Sequence, residues 1–109
     1  MSCIELLILL IGAHFICDYV LQGDAVATGK NRRIDPCRFG VSWWYWMTAH
    51  AVTHGFGVGL ITRSVWLGAC EAAAHWLIDF GECEKAYCLH EDQILHIICK
   101  LAILLCVVL

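Results

Sequence analysis

Four pairs of ionisable side chains, each spaced four residues apart, are the residues of this sequence best suited to chemistry. Residues four apart lie one above the other on the same face of an α-helix. Imidazole and carboxylate groups brought together in this way bind divalent transition metals such as zinc, iron, manganese or nickel. The four pairs are His14 with Asp18, His50 with His54, His75 with Asp79, and Asp92 with His96.

The sequence around these pairs is too apolar for a protein whose whole surface meets water. Of its 109 residues, 61% are hydrophobic and 16% are charged, and the mean hydropathy is +0.71. A soluble domain has about 45–50% apolar and about 25% charged residues. We therefore interpret residues 1–109 as a single integral membrane domain, with a buried soluble helical subunit as the alternative. The net charge of −3 argues against nucleic acid as a partner.

Four apolar segments have about the length that crosses a bilayer: residues 3–22, 41–61, 65–80 and 92–109. The first segment lacks the basic residues that open a signal peptide, so we expect it to be a retained helix. Residues 23–40 contain the only proline, Pro36, and are expected to form a loop. The pattern predicts an all-α fold, a compact antiparallel four-helix transmembrane bundle with a central metal site.

The distribution of basic residues predicts the orientation of this bundle. Cytoplasmic loops carry an excess of lysine and arginine. The second connection has only Arg63, whereas the first and third hold Lys30, Arg32, Arg33, Arg38 and Lys85. We therefore expect the two longer loops to be cytoplasmic and both termini to lie outside. The aromatic stretch "SWWYW" at residues 42–46 fits the cytoplasmic interface.

Polar groups inside a membrane bundle face its interior, so the four pairs should meet on one axis. An antiparallel arrangement stacks them in two layers towards the cytoplasmic half. One layer holds His14, His54, His75 and His96, and the other holds Asp18, His50, Asp79 and Asp92. Five imidazoles and three carboxylates predict two divalent ions, with carboxylates bridging ions about 3.5–4 Å apart. Zinc is the first candidate, and iron or manganese are alternatives. A metal-free hydrogen-bonded network is the competing interpretation.

Three further polar residues extend the same helix faces: Gln22, Glu71 and Lys100. Gln22 lies four residues beyond Asp18. Glu71 and Lys100 should come level on the outer side of the metals. All three could hydrogen-bond to metal ligands and so orient them. Glu71 and Lys100 could instead act as a general base and a substrate anchor, or form a structural buried ion pair.

Eight cysteines raise the question of disulfides. Five of them lie within the apolar segments, where cysteine behaves as a small hydrophobic residue. Cys37, Cys83 and Cys88 fall in expected loops. A Cys83–Cys88 pair is left open by the sequence, although no CxxC spacing supports a thiolate metal site.

The stretches "HFICDYVLQ", "AHAVTHG", "HWLID" and "DQILH" together resemble a family of small bacterial and phage membrane proteins, catalogued as domain of unknown function 3307. The resemblance covers nearly the whole chain. It implies a compact helical protein of a bacterial inner membrane with these histidines and aspartates as its signature, and it implies no known reaction. The HxxxD pairs are also similar to those of membrane-bound metal-dependent hydrolases.

Three functions follow as hypotheses. The first is a metal-dependent hydrolase acting on a lipid or lipid-linked group, in which the ions lower the pKa of a water towards about 7. Asp18, Asp79, Asp92 or Glu71 would then be the base. The second is a binding module, stapled by structural metals, that engages another membrane protein. The third is a metal carrier, and a homo-oligomer is compatible with each.

Overall fold

The computed structural model describes residues 1–109 and is built of helices alone. Helix α1 is Cys3–Phe15, and a π-helical segment, Ile16–Val20, continues it. The other three long helices are α3 (Trp43–Thr62), α4 (Val65–Cys83) and α5 (Leu89–Val108). A short helix, α2 (Asp24–Gly29), and a 3-10 turn, Arg38–Gly40, lie in the connection expected to be a loop.

The four long helices form a closed bundle. Helix α1 packs against α3 and α5, and α4 packs against the same two helices from the other side. The predicted all-α fold is confirmed. The third and fourth segments differ from their expected bounds, since α4 continues to Cys83 and α5 begins at Leu89. The start of α5 is earlier because Glu91 closes a capping box with the backbone of Cys88.

The interior of the bundle is mostly polar. Of 109 residues, 22 are buried, and 11 of these are polar or charged against 8 that are hydrophobic. The one apolar cluster consists of Leu6, Leu10, Val58 and Ile103. The long helices instead expose their apolar side chains, such as Ile8, Phe56 and Ile98. This distribution is the reverse of the usual one for a protein in water.

One helix is long and apolar enough, by length and composition, to cross a membrane. It covers Cys3–Val20 with a mean hydropathy of 2.0. Helices α3, α4 and α5 have 20, 19 and 20 residues, and so are about 30 Å long. They are less suited to cross a membrane by composition, and each carries polar residues on its buried face. The expectation of four spanning segments therefore holds for one of them by this measure.

Helices α3 and α4 approach each other closely at two glycines. A Cβ atom added to Gly55 would lie 2.5 Å from the carbonyl oxygen of Gly68, and one added to Gly68 would lie 2.6 Å from the carbonyl oxygen of Gly55. Small residues at such crossings let helix backbones come together. The crossing brings the rings of His54 and His75, which precede and follow these glycines, to 3.5 Å between centroids.

The end of the first long helix departs from the α-helical pattern. The N–H of Leu21 donates to the carbonyl of Ile16 at 2.8 Å, five residues back, as in a π-helix. Cys17 and Asp18 are consequently both buried. Gln22 lies beyond the helix, and its side-chain amide donates to the backbone carbonyl of Asp18 at 3.1 Å. The helix therefore ends before Gln22, whose side chain nevertheless stays in contact with Asp18.

All eight cysteines are free thiols in the structure. Cys83 is buried in the last turn of α4, whereas Cys88 is exposed at the start of α5. The Cys83–Cys88 disulfide left open by the sequence is not formed. Cys83 was expected in a loop, and it lies in a helix because α4 is longer than its apolar segment.

Candidate metal centre

All eight side chains singled out in the sequence meet in the middle of the bundle. The four long helices contribute two each, and none is more than 5% exposed. The rings of His75 and His96 lie 4.1 Å apart and those of His14 and His96 lie 5.1 Å apart, so these three histidines are close neighbours. The three carboxylates line a common cleft with Ala27 of α2 and Lys30.

The carboxylate of Asp18 faces imidazoles from two helices. Its Oδ1 atom lies 3.1 Å from His50 Nε2 and 3.2 Å from His54 Nε2, both on α3. Its Oδ2 atom lies 3.6 Å from His14 Nε2 on α1. The two oxygens of Asp18 therefore face different groups of nitrogen atoms, as a bridging carboxylate requires.

Asp79 is placed in the same way. Its Oδ1 atom lies 3.0 Å from His96 Nε2, and its Oδ2 atom lies 3.3 Å from the Nε2 atoms of both His50 and His75. Asp92 completes the group, with Oδ1 3.4 Å from His96 Nε2. Carboxylates from α1, α4 and α5 thus alternate with imidazoles from all four long helices.

These separations fit metal coordination. Two ligand atoms about 2.1 Å from a tetrahedral zinc ion lie about 3.4 Å apart, close to the nitrogen–oxygen distances found here. Several of the facing atoms, among them His54 Nε2, His75 Nε2 and Asp92 Oδ1, are buried without a hydrogen-bond partner. Such atoms are costly unless they have another partner. Potential ligand atoms lie within 4.8 Å of one another in three overlapping sets: Asp18, His50, His54 and His75; His14, His75 and His96; Asp18, Asp92 and His96. Each of these sets could hold a metal ion.

Gln93 belongs to the cluster although the sequence analysis did not include it. Its side-chain Oε1 lies 3.0 Å from His14 Nε2, and its Nε2 donates to Asp18 Oδ2 at 2.8 Å and to Asp92 Oδ2 at 3.0 Å. Gln93 therefore fixes ligands from α1 and α5. A signal was present in the sequence, because Gln93 lies three residues before His96 and so shares its helix face.

Lys30 is the second residue that sequence reasoning missed. Its ammonium donates to Asp79 Oδ2 at 2.6 Å, and the residue is 8% exposed. Burial alone would lower the pKa of Lys30, but the carboxylate of Asp79 outweighs that effect and raises the pKa above its ordinary value. The position was hidden because α2, which ends at Gly29, lies in a connection expected to be a loop.

Glu71 and Lys100 come level on the far side of the cluster, as expected. The ammonium of Lys100 donates to Glu71 Oε1, and both residues are 1% exposed. Glu71 Oε1 also lies 3.7 Å from His75 Nδ1. Glu71 therefore lies next to the Nδ1 atom of His75, while the Nε2 atom of the same ring faces the carboxylates.

A polar cleft of about 150 Å³ reaches the cluster from the side of α2. Asp18, Asp79 and Asp92 lie along it, together with Lys30 and Gln93, whereas none of the histidines and neither Glu71 nor Lys100 does. The carboxylate side of the cluster is therefore the accessible one. Gln22 also lines the cleft and forms part of its wall.

Charged residues hold the chain after Lys30 against the end of α4. Arg32 and Arg33, which follow Lys30, both donate to the carboxylate of Glu84 just after α4. These hydrogen bonds lower the pKa of Glu84 below its ordinary value. The two arginines thereby tie the chain after α2 to the end of α4.

A family model described as "Protein of unknown function (DUF3307)" matches residues 6–109. The chain belongs to this family. The matched region includes all eight side chains of the cluster, together with Lys30 and Gln93. The resemblance stated from the four sequence stretches is therefore confirmed. A search of curated proteins and a search of solved structures each found no match.

The first prediction concerns metal content. Protein purified in detergent without chelator should carry about two divalent ions per chain. His54→Ala should lower that content and the Tm, because it removes a nitrogen that faces Asp18 at 3.2 Å. Elemental analysis and thermal unfolding measure both effects.

His90→Ala is the matched control, since His90 is exposed and lies outside the cluster. It should change neither the metal content nor the Tm. Wild-type protein with far less than one ion per chain, or equal metal content in the two variants, would contradict the assignment.

Proposed function

We propose that this protein is a membrane-embedded, metal-dependent hydrolase whose centre holds two divalent ions, zinc first, and which acts on a lipid or lipid-linked substrate. The observation that carries the proposal is the polar cleft, which gives access to the three carboxylates of an otherwise buried cluster. A purely structural metal site is closed by its ligands, whereas a catalytic one keeps an accessible position.

The position of charges on the long helices supports the membrane part of the proposal. Apart from Glu82 and Glu91, the charged residues of α4 and α5 are Glu71, Asp79, Asp92 and Lys100, and all four are 3% exposed or less. Glu5, Glu82 and Glu91 lie near helix ends. The outer surface between those ends is apolar, as the hydrocarbon region of a bilayer requires. A bacterial inner membrane, with both termini outside, is part of the proposal.

The chemistry follows from the residues that line the cleft. Divalent ions in such a site supply a water of lowered pKa and positive charge for the transition state. Asp79 is the base we favour, because it lines the cleft and its Oδ2 atom accepts a hydrogen bond from Lys30. Gln93 holds Asp18 and Asp92 in place from the same side.

Glu71 is better suited to a positioning role than to that of a base. It lies outside the cleft, and its carboxylate is engaged by Lys100 and lies 3.7 Å from His75 Nδ1. A carboxylate behind a ligating histidine fixes the tautomer and the orientation of the ring. Glu71 would therefore act through His75.

A second candidate function has one specific observation in its favour. The one apolar cluster of the interior contains only four buried residues, while the polar cluster includes side chains from all four long helices. Metals could therefore staple the bundle of a binding module that engages another membrane protein. A hydrolysis assay distinguishes the two functions, because a binding module with structural metals would bind the ions and turn over no substrate.

The test of hydrolysis uses zinc-loaded protein in lipid vesicles that contain a fluorogenic carboxylic-ester lipid or a fluorogenic phosphate-ester lipid. We expect turnover of one of them, its loss after chelation and its return with added zinc. Protein that holds two ions and turns over neither lipid would contradict the hydrolase and favour the staple.

Glu71→Gln provides a further arm of the same test. We expect metal content and activity to be kept within about tenfold, while stability falls, because the buried Lys100 loses its counter-ion. Glu5→Gln is the control and should change neither metal content nor activity, because Glu5 is exposed at the start of α1, lies outside the cleft, and glutamine can replace it in the capping box. Loss of activity in Glu71→Gln with full metal content and fold would make Glu71 the base instead.

Membrane orientation is tested with single-cysteine variants. Cys37 lies in the first connection and Cys3 at the start of α1, and both are exposed. An impermeant thiol reagent added to intact cells should label the Cys3-only variant and spare the Cys37-only variant, which becomes labelled after lysis. The reverse pattern would contradict the orientation, and equal labelling of both would contradict a spanning bundle.

A further inference from the structure

The polar cleft contains a buried cation that metal binding does not explain. Lys30 lies directly after Gly29, where an added Cβ atom would come within 2.8 Å of the Trp46 ring. This close fit of α2 against α3 directs Lys30 inwards, where its ammonium meets Asp79. Lysine has three donors and no acceptor, so a protonated Lys30 cannot be a metal ligand.

The balance of charge around the cleft indicates the charge of the ligand that would bind there. Two divalent ions bring four positive charges, while Asp18, Asp79 and Asp92 bring three negative ones. Lys30 raises the excess of the buried groups to two positive charges, since the Glu71–Lys100 pair is neutral in itself and Glu82 at the rim of the cleft is only partly buried and screened by solvent. Buried charge without a partner is costly. A doubly charged anion bound in the cleft would neutralise the centre.

We propose that the cleft binds the phosphate group of a phosphate monoester and that Lys30 is its anchoring residue. This inference rests on the proposed hydrolase, whose substrate class it specifies. A phosphate monoester carries nearly two negative charges at neutral pH and several acceptor oxygens. Lysine serves phosphate as a point charge. A neutral carboxylic ester would leave the positive excess in place.

The corresponding reaction is balanced without any further reactant. The oxygen of a water forms a bond to phosphorus while the bond from phosphorus to the ester oxygen breaks. One proton of the water ends on that oxygen, which leaves as an alcohol, and inorganic phosphate remains. Lys30 neutralises negative charge on the phosphoryl oxygens, and Asp79 accepts the proton of the water.

The walls of the cleft indicate that the alcohol part is apolar. Tyr19 and Leu89 line it and are 54% and 57% exposed, and Leu21 beside them is 58% exposed. Arg32 and Arg33 are engaged with Glu84, so they do not compete for the phosphate. A lipid with a terminal phosphate could place its chain along these side chains while its head group enters the cleft.

The first test is binding of inorganic phosphate to the zinc-loaded protein, measured by calorimetry and by the shift in Tm. Phosphate should bind and raise the Tm, whereas acetate should not. Lys30→Gln should bind phosphate about 10- to 100-fold more weakly, since a hydrogen bond to a charged group is lost. Lys30→Arg should restore most of the affinity.

Lys85→Gln is the matched control, because Lys85 is an exposed cation in the connection between α4 and α5. It should bind phosphate as the wild type does. Equal affinity in Lys30→Gln and Lys85→Gln would overturn the role of Lys30. If Lys30→Gln fails to fold, the wild-type comparison decides, since no preference for phosphate over acetate would overturn the phosphate site.

Two activity measurements separate this inference from the proposed function. Release of phosphate from a lipid monoester in vesicles, well above release from a water-soluble monoester, supports a lipid source for the phosphate, and the opposite preference would overturn it. Turnover of the carboxylic-ester lipid alone would overturn the phosphate inference and leave the hydrolase standing. Phosphate binding without turnover of any ester would remove the hydrolase and keep the binding site.

Discussion

Asp18 and Asp79 each lie between imidazoles of neighbouring helices, and the rest of the structure depends on how these charges are compensated. Their oxygens lie 3.0–3.6 Å from nitrogen atoms of five histidines. Direct hydrogen bonds satisfy only part of the group, because His54 Nε2 and His75 Nε2 remain without partners. Two divalent ions would satisfy the same atoms and would join all four long helices. The one apolar cluster of the interior has only four buried residues.

The packing around the cluster closes some of its sides and leaves one side accessible. Gly55 and Gly68 bring α3 and α4 close enough for His54 and His75 to stack. The Glu71–Lys100 pair lies on the closed side of the cluster. The open side is formed by the π-helical segment and α2, the least regular part of the fold. Access and irregular backbone therefore coincide, which is typical of functional sites.

The sequence predicted the helical fold and the eight clustered side chains because both follow from one spacing. A four-residue interval has a single geometric meaning on a helix, so inward faces could be identified without tertiary information. Lys30 could not be predicted, since its burial depends on α2 packing against Trp46, far along the chain. The π-helical segment was also missed, because inserting one residue into a helical turn leaves no mark in the hydropathy pattern. For the same reason the sequence did not indicate that the helix ends before Gln22.

The central claim is that the imidazoles and carboxylates of this cluster hold two metal ions. X-ray absorption at the zinc edge of the purified protein tests it most directly, because the spectrum reports both the ligand atoms and any neighbouring metal. The account predicts a shell of nitrogen and oxygen atoms at about 2.0–2.2 Å with imidazole scattering, and a second zinc at about 3.5–4 Å. A shell dominated by sulfur at about 2.3 Å, or the absence of a metal neighbour in fully loaded protein, would contradict it.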